Sequence, residues 1–203
     1  MFTGIVKYVG TLRSAERSSS GLRLRIDCPA AARQLEPDDS ICVAGVCLTV
    51  TGRDEAAFGV DVVPETLSRT TLGTAPAGTR LNLEPAATLA TALGGHLVQG
   101  HVDATTELIS RAEVGDGARL AFRLPPEVAR YVVTKGFITL DGVSLTVAAV
   151  APDRFEIALI PHTASHTSLG ALQPGAGVNV EVDVIAKYVE RLLQEKREKE
   201  EKS

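Results

Sequence analysis

The sequence predicts an all-β protein that consists of two tandem copies of one small domain. Residues 45–50 (Gly-Val-Cys-Leu-Thr-Val) return 97 positions later as residues 142–147 (Gly-Val-Ser-Leu-Thr-Val). In both halves, apolar or alternating segments of five to eight residues lie between Gly, Pro and Asp, which is typical of the short strands of a sandwich or barrel. A solenoid unit spans only roughly 20 to 50 residues, so each copy is predicted to be a domain of its own.

The repeat covers most of the chain and sets the predicted domain boundaries. The other matching segments are residues 64–73 with 161–170, 78–84 with 175–181, and 2–6 with 98–102. Pro and Gly residues bracket a short stretch between the copies, at residues 86–95. We therefore predict a first domain over residues 1–90, a second over 91–184, and a C-terminal helix with a charged tail over 185–203.

The predicted strands and helices follow one another in the same order in both copies. Examples of the predicted strands are residues 22–26, 41–43, 46–50 and 60–63 in the first copy, and 117–124, 137–140 and 155–160 in the second. Short helices are predicted over residues 29–35 and 125–134, because both segments start with proline, which a first helical turn tolerates. The second helix is expected to stop before Gly136.

The end of the chain has a different pattern. Ile185, Tyr188, Val189 and Leu192 follow helical spacing. Residues 195–203 are almost entirely charged and are expected to fray into solvent. The apolar stripe fits a helix that packs on its own domain and equally a helix that bundles with copies of itself, because three turns do not establish a heptad.

Composition excludes several classes of protein. The 203 residues carry a formal net charge of −4 and include only five Phe and three Tyr, so no nucleic-acid partner is expected. No run of about 18 apolar residues and no signal peptide are visible, so no membrane partner is expected. Cys28, Cys42 and Cys47 show no C-x-x-C spacing, and reduced thiols in a cytoplasmic protein are the plain expectation.

The repeated hexapeptide is predicted to form half of a β-hairpin in each copy, with two-residue turns at positions 44–45 and 141–142. The second turn, Asp-Gly, is a strong hairpin signal. The facing pairs are then Val43 with Val46, Cys42 with Cys47 and Ser40 with Thr49 in the first copy, and Thr139 with Ser144 and Phe137 with Thr146 in the second. Because side chains alternate along a strand, each hairpin has one apolar face and one small, polar, uncharged face. Such a face suits a flat polar ligand, although threonine is also frequent on exposed strands.

Two differences between the copies indicate chemistry. Cys47 corresponds to Ser144, and a thiol ionises far more readily near neutral pH than a hydroxyl. Cys47 is therefore a candidate acid, base or nucleophile. His101 stands where the first copy has Ile5, so the fold does not require an imidazole at this position. His96 is interpreted as a structural residue.

No metal site and no nucleotide cofactor are predicted. His162 and His166 replace Glu65 and Arg69. Their i, i+4 spacing could suit a metal ion if the segment were helical, but the segment follows a strand and Pro161, so a helix is not expected. No cluster of cysteines or carboxylates completes a metal site. The chain has no P-loop, no G-x-G-x-x-G motif, no nucleophile elbow and no Ser-His-Asp spacing. No cofactor is therefore expected.

Five motifs occur in order between residue 1 and about residue 184. They are Met-Phe-Thr-Gly-Ile-Val at the start, Gly-Val-Cys-Leu-Thr-Val, Pro-Glu-Thr-Leu-x-x-Thr-Thr-Leu-Gly, Gly-Gly-His-Leu-Val-Gln-Gly-His-Val and Lys-Gly-x-Ile-x-x-Asp-Gly-x-Ser-Leu-Thr-Val. Together these motifs resemble the riboflavin synthase family, of the trimeric α-chain type.

The resemblance implies a fold, an assembly and an activity. The fold would be two six-stranded antiparallel Greek-key barrels with short helices, and a C-terminal helix that joins three subunits. The activity would be the dismutation of two molecules of 6,7-dimethyl-8-ribityllumazine into riboflavin and 5-amino-6-ribitylamino-pyrimidinedione, by four-carbon transfer and without a cofactor or metal. In the family each barrel binds one lumazine, and the catalytic pair meets between barrels of neighbouring subunits. Lumazine synthase is a further partner that the resemblance suggests.

The resemblance also implies a set of site residues. The candidate catalytic residues are Cys47, His101, Ser40, Ser144, Thr146 and Asp183. The substrate-binding residues of the first barrel would be Gly4, Ile5, Val6, Cys47, Leu48, Thr49, Asp61, Val62, Val63, Pro64, Glu65 and Thr66, with Gly100, His101 and Val102 beside them. Those of the second barrel would be Lys135, Ser144, Leu145, Thr146, Ile160, Pro161, His162, Thr163 and Ala164.

Two departures from the family pattern are visible, and two other functions are compatible with a double-barrel fold. The first hairpin turns on Ala-Gly at residues 44–45, where the family often has Asn-Gly, and Cys42 stands where a small apolar residue is usual. The main alternative is a non-catalytic lumazine protein, which binds a fluorescent ligand in the same fold. Cys47, His101 and Ser144 argue against it, because a pure binder does not need reactive groups in both half-sites. A double-barrel interaction module would leave the polar faces unexplained.

Overall fold

A computed structural model shows two closed antiparallel β-barrels of six strands each, followed by a C-terminal helix. It describes residues 1–18 and 21–200, with side chains as far as residue 194. The strands of the first barrel are β1 (Tyr8–Ser18), β2 (Gly21–Asp27), β3 (Ser40–Val43), β4 (Val46–Arg53), β5 (Ala57–Val62) and β6 (Arg80–Pro85). Those of the second are β7 (Ala104–Val114), β8 (Gly117–Arg123), β9 (Phe137–Leu140), β10 (Val143–Ala151), β11 (Arg154–Leu159) and β12 (Gly177–Val182).

The two barrels have the same strand order. The first closes as β1-β2-β5-β4-β3-β6 and the second as β7-β8-β11-β10-β9-β12. In the first barrel, β3, β4 and β5 are consecutive neighbours and β6 returns to pair with β3, which is the Greek-key arrangement. The predicted fold class is confirmed.

The predicted hairpins are confirmed residue by residue. The facing pairs are Ser40 with Thr49, Cys42 with Cys47 and Val43 with Val46, and Thr139 with Ser144 and Phe137 with Thr146. Both residues of each turn have a positive φ, between 44° and 82°. This is the geometry of a type I′ turn, whose twist matches the flanking strands. The turn therefore determines which side chains share the polar face.

Each barrel has its own apolar core. Phe58 is fully buried in the first barrel, and Phe122 and Phe155 stack in the second with their ring centroids 5.6 Å apart. Leu48 and Leu145, from the apolar faces of the two hairpins, belong to these cores. The opposite face of each hairpin is thereby left for polar groups.

The described residues form four α-helices beside the barrels: α1 (Pro29–Ala32), α2 (Pro64–Arg69), α3 (Pro161–His166) and α4 (Val184–Glu200). The helix predicted over residues 29–35 is confirmed in a shorter form as α1. The helix predicted over residues 125–134 is wrong, since only a 3-10 turn over Ala129–Tyr131 forms. The β-branched side chains of residues 132–134 disfavour a longer helix. The sequence did not predict α2 or α3.

The long helix α4 is attached to the second barrel by its polar side. Glu190 accepts from Arg130 at 2.5 Å, and Lys187 donates to Asp103 at 2.6 Å. The apolar stripe faces solvent instead of its own domain, with Tyr188 67% exposed. The helix continues to Glu200, where fraying was expected from residue 195, because Glu, Lys and Arg are good helix formers.

The last three residues of the expected tail, 201–203, lie outside the described residues. Within the part of the chain that the structure describes, none of the helices has both the length and the hydropathy needed to cross a membrane.

A reciprocal pair of asparagines joins the two barrels. Asn82 Nδ2 donates to the carbonyl of Asp141 at 2.9 Å, and Asn179 Nδ2 donates to the carbonyl of Ala44 at 2.8 Å. The Oδ1 atom of each asparagine accepts a backbone N–H from the opposite barrel, at 2.7 and 2.8 Å. Because Asn82 and Asn179 are equivalent in the repeat, the barrels are related by a pseudo-twofold axis that passes near the two hairpin turns.

Candidate active site

Two short segments cover the polar faces of the hairpins. Residues 2–6 are named the first arm and residues 98–102 the second arm. The arms pair with each other, since Phe2 N donates to Val98 O at 2.7 Å and Val98 N donates to Phe2 O at 3.1 Å. From this bridge each arm continues towards the opposite barrel.

The arms reach the two residues that distinguish the copies. Cys47 N donates to Gly100 O, and Ser144 N donates to Gly4 O, both at 2.8 Å. Gly4 and Gly100 have φ values of +75° and +78°, a region that favours glycine. A Cβ at Gly4 would lie 2.5 Å from the Cβ of Ser144, and one at Gly100 would lie 2.7 Å from the Cβ of Cys47. Both glycines are therefore needed for the close approach.

The first arm crosses to the second barrel and does not lie on the barrel where it was expected. Gly4, Ile5 and Val6 were expected beside Cys47, but the structure places this arm on the second barrel, where Val6 packs against the core. Val102 of the second arm packs against the core of the first barrel. Each site within one chain is thus made from the hairpin of one barrel and the arm that precedes the other barrel.

The first site is a cleft of about 180 Å³ beside Cys47. Its lining residues are Val46, Cys47, Glu65, Thr66, Arg69, Thr70, Gly100, His101 and Val102. Six of these nine residues belong to the predicted site. The cleft is formed by β4, the second arm and α2, so the helix that the sequence did not predict supplies part of its wall.

Cys47 is the thiol that this cleft exposes. It is half-buried, and burial raises the pKa of its thiol, while the N-terminal ammonium and the Ser40 hydroxyl act in the opposite direction. Cys42 is only 2% exposed and packs with Phe2 and Val98, and burial raises its pKa well above the ordinary value. Both thiols are free. Cys47 is therefore the cysteine available to a ligand.

The second site has a histidine hydrogen-bonded to the serine. His96 Nδ1 lies 2.7 Å from Ser144 Oγ, and His96 Nε2 lies 3.2 Å from Thr139 Oγ1. The ring stacks on Phe137 with centroids 4.9 Å apart. Burial lowers the pKa of His96, and Asp183 acts in the opposite direction. A neutral ring with its proton on Nε2 donates to Thr139 and leaves Nδ1 to accept the Ser144 hydroxyl.

The sequence predicts only a structural role for His96, but the structure places its ring in the second site. It is 6% exposed, yet its ring reaches the serine on the polar face of the hairpin. The sequence carries no signal for this contact, because the repeat offset of 96 positions would place its counterpart before Met1.

Several predicted residues of the first barrel lie outside the cleft. Leu48 and Val62 point into the core. Asp61 forms an ion pair with Arg23 at 2.8 Å on the outside of the barrel. Thr49 is exposed opposite Ser40. The remaining two, which are exposed where α2 begins, are Val63 and Pro64.

The predicted residues of the second barrel are spread over its hairpin and α3. Leu145 belongs to the core, while Thr146 is exposed opposite Phe137. Lys135 is exposed in the turn before β9, with φ of +69°. Asp183 Oδ1 accepts the N–H of Ile185 at the start of α4. The segment at α3 comprises Ile160, Pro161, His162, Thr163 and Ala164.

The two histidines of α3 are closer than the sequence suggests. His162 and His166 lie on a helical turn, contrary to expectation, and their rings stack with centroids 4.1 Å apart. Within residues 1–18 and 21–200, no group of three or more His, Cys, Asp or Glu side chains is arranged to hold a metal ion. The pair replaces the ion pair of Glu65 and Arg69 in the first copy.

The comparison with known proteins agrees with the duplicated architecture. A family described as the lumazine binding domain matches the chain twice, over residues 3–86 and 99–183. The riboflavin synthase of Mycobacterium bovis is 47% identical over 197 residues, which cover 95% of this chain and 98% of that protein. The chain belongs to the riboflavin synthase family. Another member, the riboflavin synthase of Bacillus subtilis, is 39% identical and the match covers 98% of this chain and 92% of that protein.

The fold of this riboflavin synthase family member is also found in solved structures. A crystal structure of LumP complexed with riboflavin superposes with a TM-score of 0.84 at 23% identity, covering 90% of this chain and 99% of that one. A complex of LumP with 6,7-dimethyl-8-(1'-D-ribityl) lumazine gives 0.81 at the same identity and coverage. At this identity the likeness shows a common fold. The strands of each barrel lie within one of the two lumazine binding domains.

Proposed function

We propose that the protein is a riboflavin synthase, which transfers a four-carbon unit between two molecules of 6,7-dimethyl-8-ribityllumazine and releases riboflavin and 5-amino-6-ribitylamino-pyrimidinedione. The observation that carries this proposal is the pair of related but unequal sites. Cys47 with His101 marks the first site, and Ser144 with His96 marks the second. Two similar sites with different chemistry fit a reaction in which two identical molecules play different parts.

The reaction needs a base and a nucleophile. A proton must leave the C7 methyl group of one lumazine, and a nucleophile must add to C7 of the other. The neutral His96 can accept the proton of Ser144, so we assign proton removal to this pair. Cys47 and His101 are then available for the addition at the first site. The lumazine ring stabilises the carbanion, so the protein contributes mainly positioning and hydrogen bonds.

The other predicted site residues keep the roles that the resemblance implies. Ser40, Thr146 and Asp183 are proposed to assist the reaction, and the predicted substrate-binding residues on both barrels are proposed to bind the lumazine ring and ribityl hydroxyls. Ser40 is supported by its hydrogen bond to Cys47, and Asp183 by its electrostatic effect on His96.

The assembly is proposed to be a homotrimer, in which the first site of one subunit faces the second site of its neighbour. Its support is the solvent-facing stripe of α4, where Ile185, Tyr188 and Leu192 are 57%, 67% and 67% exposed. The functional division would be residues 1–90 and 91–184 for the lumazine sites and 185–203 for assembly.

The cell compartment and further partners are proposed from the cysteines, the family resemblance and the charge of the chain. The free cysteines support a cytoplasmic location. Association with lumazine synthase is proposed from the family resemblance. We propose neither a nucleic-acid partner nor a membrane partner, because the chain carries a formal net charge of −4 and its basic residues are scattered.

The purified protein is expected to convert 6,7-dimethyl-8-ribityllumazine to riboflavin without any added cofactor. Chromatography of the reaction mixture with absorbance and fluorescence detection should find one riboflavin and one pyrimidinedione for every two lumazines consumed. Tight binding of the lumazine without formation of riboflavin would contradict the proposal and would indicate a binding protein.

Cys47→Ala and His101→Ala are each expected to lower kcat/KM by about tenfold or more, because both change side chains that line the first cleft. Cys42→Ala is the matched control, since it removes the facing thiol on the same hairpin but lies outside the cleft. Steady-state kinetics of the three variants make the comparison. Equal losses of kcat/KM in all three variants would contradict the assignment of Cys47 and His101 as reactive groups.

A further inference from the structure

Two buried carboxylates lie behind the arms. Glu84 of β6 and Glu181 of β12 are equivalent in the repeat, 97 positions apart, and are 3% and 2% exposed. Burial of a carboxylate is costly unless several donors satisfy its oxygens. In this protein the donors come from the arms.

Glu181 accepts three consecutive backbone N–H groups of the second arm. Its Oε1 accepts from Gln99 at 2.7 Å, and its Oε2 accepts from Gly100 at 2.9 Å and from His101 at 3.0 Å. Hydrogen bonds to an ionised acceptor are roughly twice as strong as neutral ones. The carboxylate therefore determines where Gly100 and His101 lie.

Glu84 makes the matching contacts to the first arm. Its Oε1 accepts from the backbone N–H and the hydroxyl of Thr3, each at 2.7 Å, and its Oε2 accepts from Gly4 N at 3.0 Å. Burial raises the pKa of both Glu84 and Glu181, and the hydrogen bonds from the arms act in the opposite direction. Each glutamate, together with the three arm groups that donate to it, is named a clamp. The two clamps are a matched pair, because each has three such hydrogen bonds.

Each clamp acts across the boundary between the barrels. Glu181 is part of the second barrel, but the arm that it holds completes the cleft beside Cys47 on the first barrel. Glu84 is part of the first barrel, and its arm reaches Ser144 on the second. Each site therefore needs both barrels, because one barrel supplies the hairpin and the other supplies the glutamate that binds the arm lying over that hairpin.

We propose that Glu181 is the positioning residue of the first site and Glu84 that of the second, so that each barrel sets the geometry of the site on the other. The effect on arm geometry is independent of the reaction, and the effect on turnover rests on the proposed function. Neither carboxylate needs to touch substrate.

Glu181→Gln tests the proposal, with Glu84→Gln as its matched control. Glutamine preserves the size of the side chain, but its amide has one acceptor oxygen and a donor NH2 group, so at least one arm N–H loses its acceptor. The reporter is the rate at which N-ethylmaleimide alkylates Cys47, located by peptide mass mapping. Cys28 is 7% exposed in the core of the first barrel and reports general opening of that barrel in the same sample.

We expect Glu181→Gln to accelerate alkylation of Cys47 about tenfold, which is the effect of losing one charge-assisted hydrogen bond. Alkylation of Cys28 should not change, and Glu84→Gln should leave the Cys47 rate near that of the wild type. Equal acceleration of Cys47 in the two variants, no acceleration in either, or equal acceleration of Cys28 and Cys47 in Glu181→Gln would overturn the proposal. If Glu181→Gln does not fold, Glu181→Asp and Glu84→Asp give the same comparison with the charge retained and the reach shortened.

Kinetics provide a second readout that separates positioning from general loss of stability. Glu181→Gln is expected to lower kcat at a temperature well below its unfolding midpoint, and Glu181→Asp to recover part of that loss. Unchanged kcat in Glu181→Gln, with Cys47 alkylated faster, would show that the arm moves without affecting the site and would overturn the catalytic part. Absence of turnover in the wild type would contradict the proposed function, while the alkylation rates would still decide the role of the clamp.

Discussion

Alanine in place of Gly100 is expected to lower turnover about a hundredfold, because it pushes the second arm away from Cys47. A Cβ on Gly100 would lie 2.7 Å from both the Cβ and the backbone N of Cys47. These atoms belong to a paired strand and cannot yield, so the arm must move. A misplacement of about 1 Å can cost about 10²-fold in rate. Steady-state kinetics with 6,7-dimethyl-8-ribityllumazine measure the loss.

Gly78→Ala is the matched control for the backbone strain of this substitution. Gly78 has φ of +90°, close to the +78° of Gly100, but a Cβ there would meet nothing within 4 Å. Alanine in the left-handed region costs roughly 1–2 kcal/mol of stability at either position. Only Gly100→Ala adds the contact with Cys47. Equal losses of turnover in the two variants would show that strain, and not the position of the arm, controls the site.

The hairpins could be predicted from the sequence because their geometry is local. A two-residue turn leaves only one register for the strands on either side of it, and that register places Cys42 opposite Cys47 and Thr139 opposite Ser144. The alternation of side chains then assigns the apolar residues to the core. The duplication predicted two copies of one domain, and the family resemblance implied the six-stranded Greek-key barrel that both copies form.

The crossing of the arms could not be predicted, because it is a contact between distant parts of the chain. The repeat shows that residues 2–6 and 98–102 are equivalent, but an arm that stays on its own barrel gives the same sequence pattern as one that crosses. Glu84 and Glu181 likewise read as ordinary strand residues. Their contacts become visible only in the folded structure, where they accept backbone N–H groups of the arms.

The sequence also did not predict the short helices α2 and α3 or the contact that His96 makes. The six-residue helices α2 and α3 are too short for helical periodicity, and their only signals are Pro64 and Pro161 in the first turn. His96 has no counterpart in the first copy, so a comparison of the two copies could not single it out. Its partner Ser144 was found through Cys47, whereas the imidazole beside it required the structure.

Ser144→Ala and His96→Gln are each expected to lower kcat by about 10²-fold or more, the contribution of a positioned proton acceptor. Each removes one partner of the 2.7 Å contact between Ser144 Oγ and His96 Nδ1. The double variant should be little worse than either single variant, because the two groups act as a unit. Ser14→Ala is the control, since this serine lies on β1, far from the hairpins in sequence, and its hydroxyl donates to Glu16 Oε1.

The pH dependence of kcat identifies the imidazole as the proton acceptor. Burial lowers the pKa of His96, so the ring stays neutral below the ordinary histidine value of about 6.5. As the pH falls through the lowered pKa, the ring takes up a proton and no longer accepts the hydroxyl proton of Ser144, so kcat should fall. His96→Gln should lack this acid limb, because glutamine does not titrate. An acid limb that persists in His96→Gln, or losses that add in the double variant, would assign proton removal to a group other than this pair.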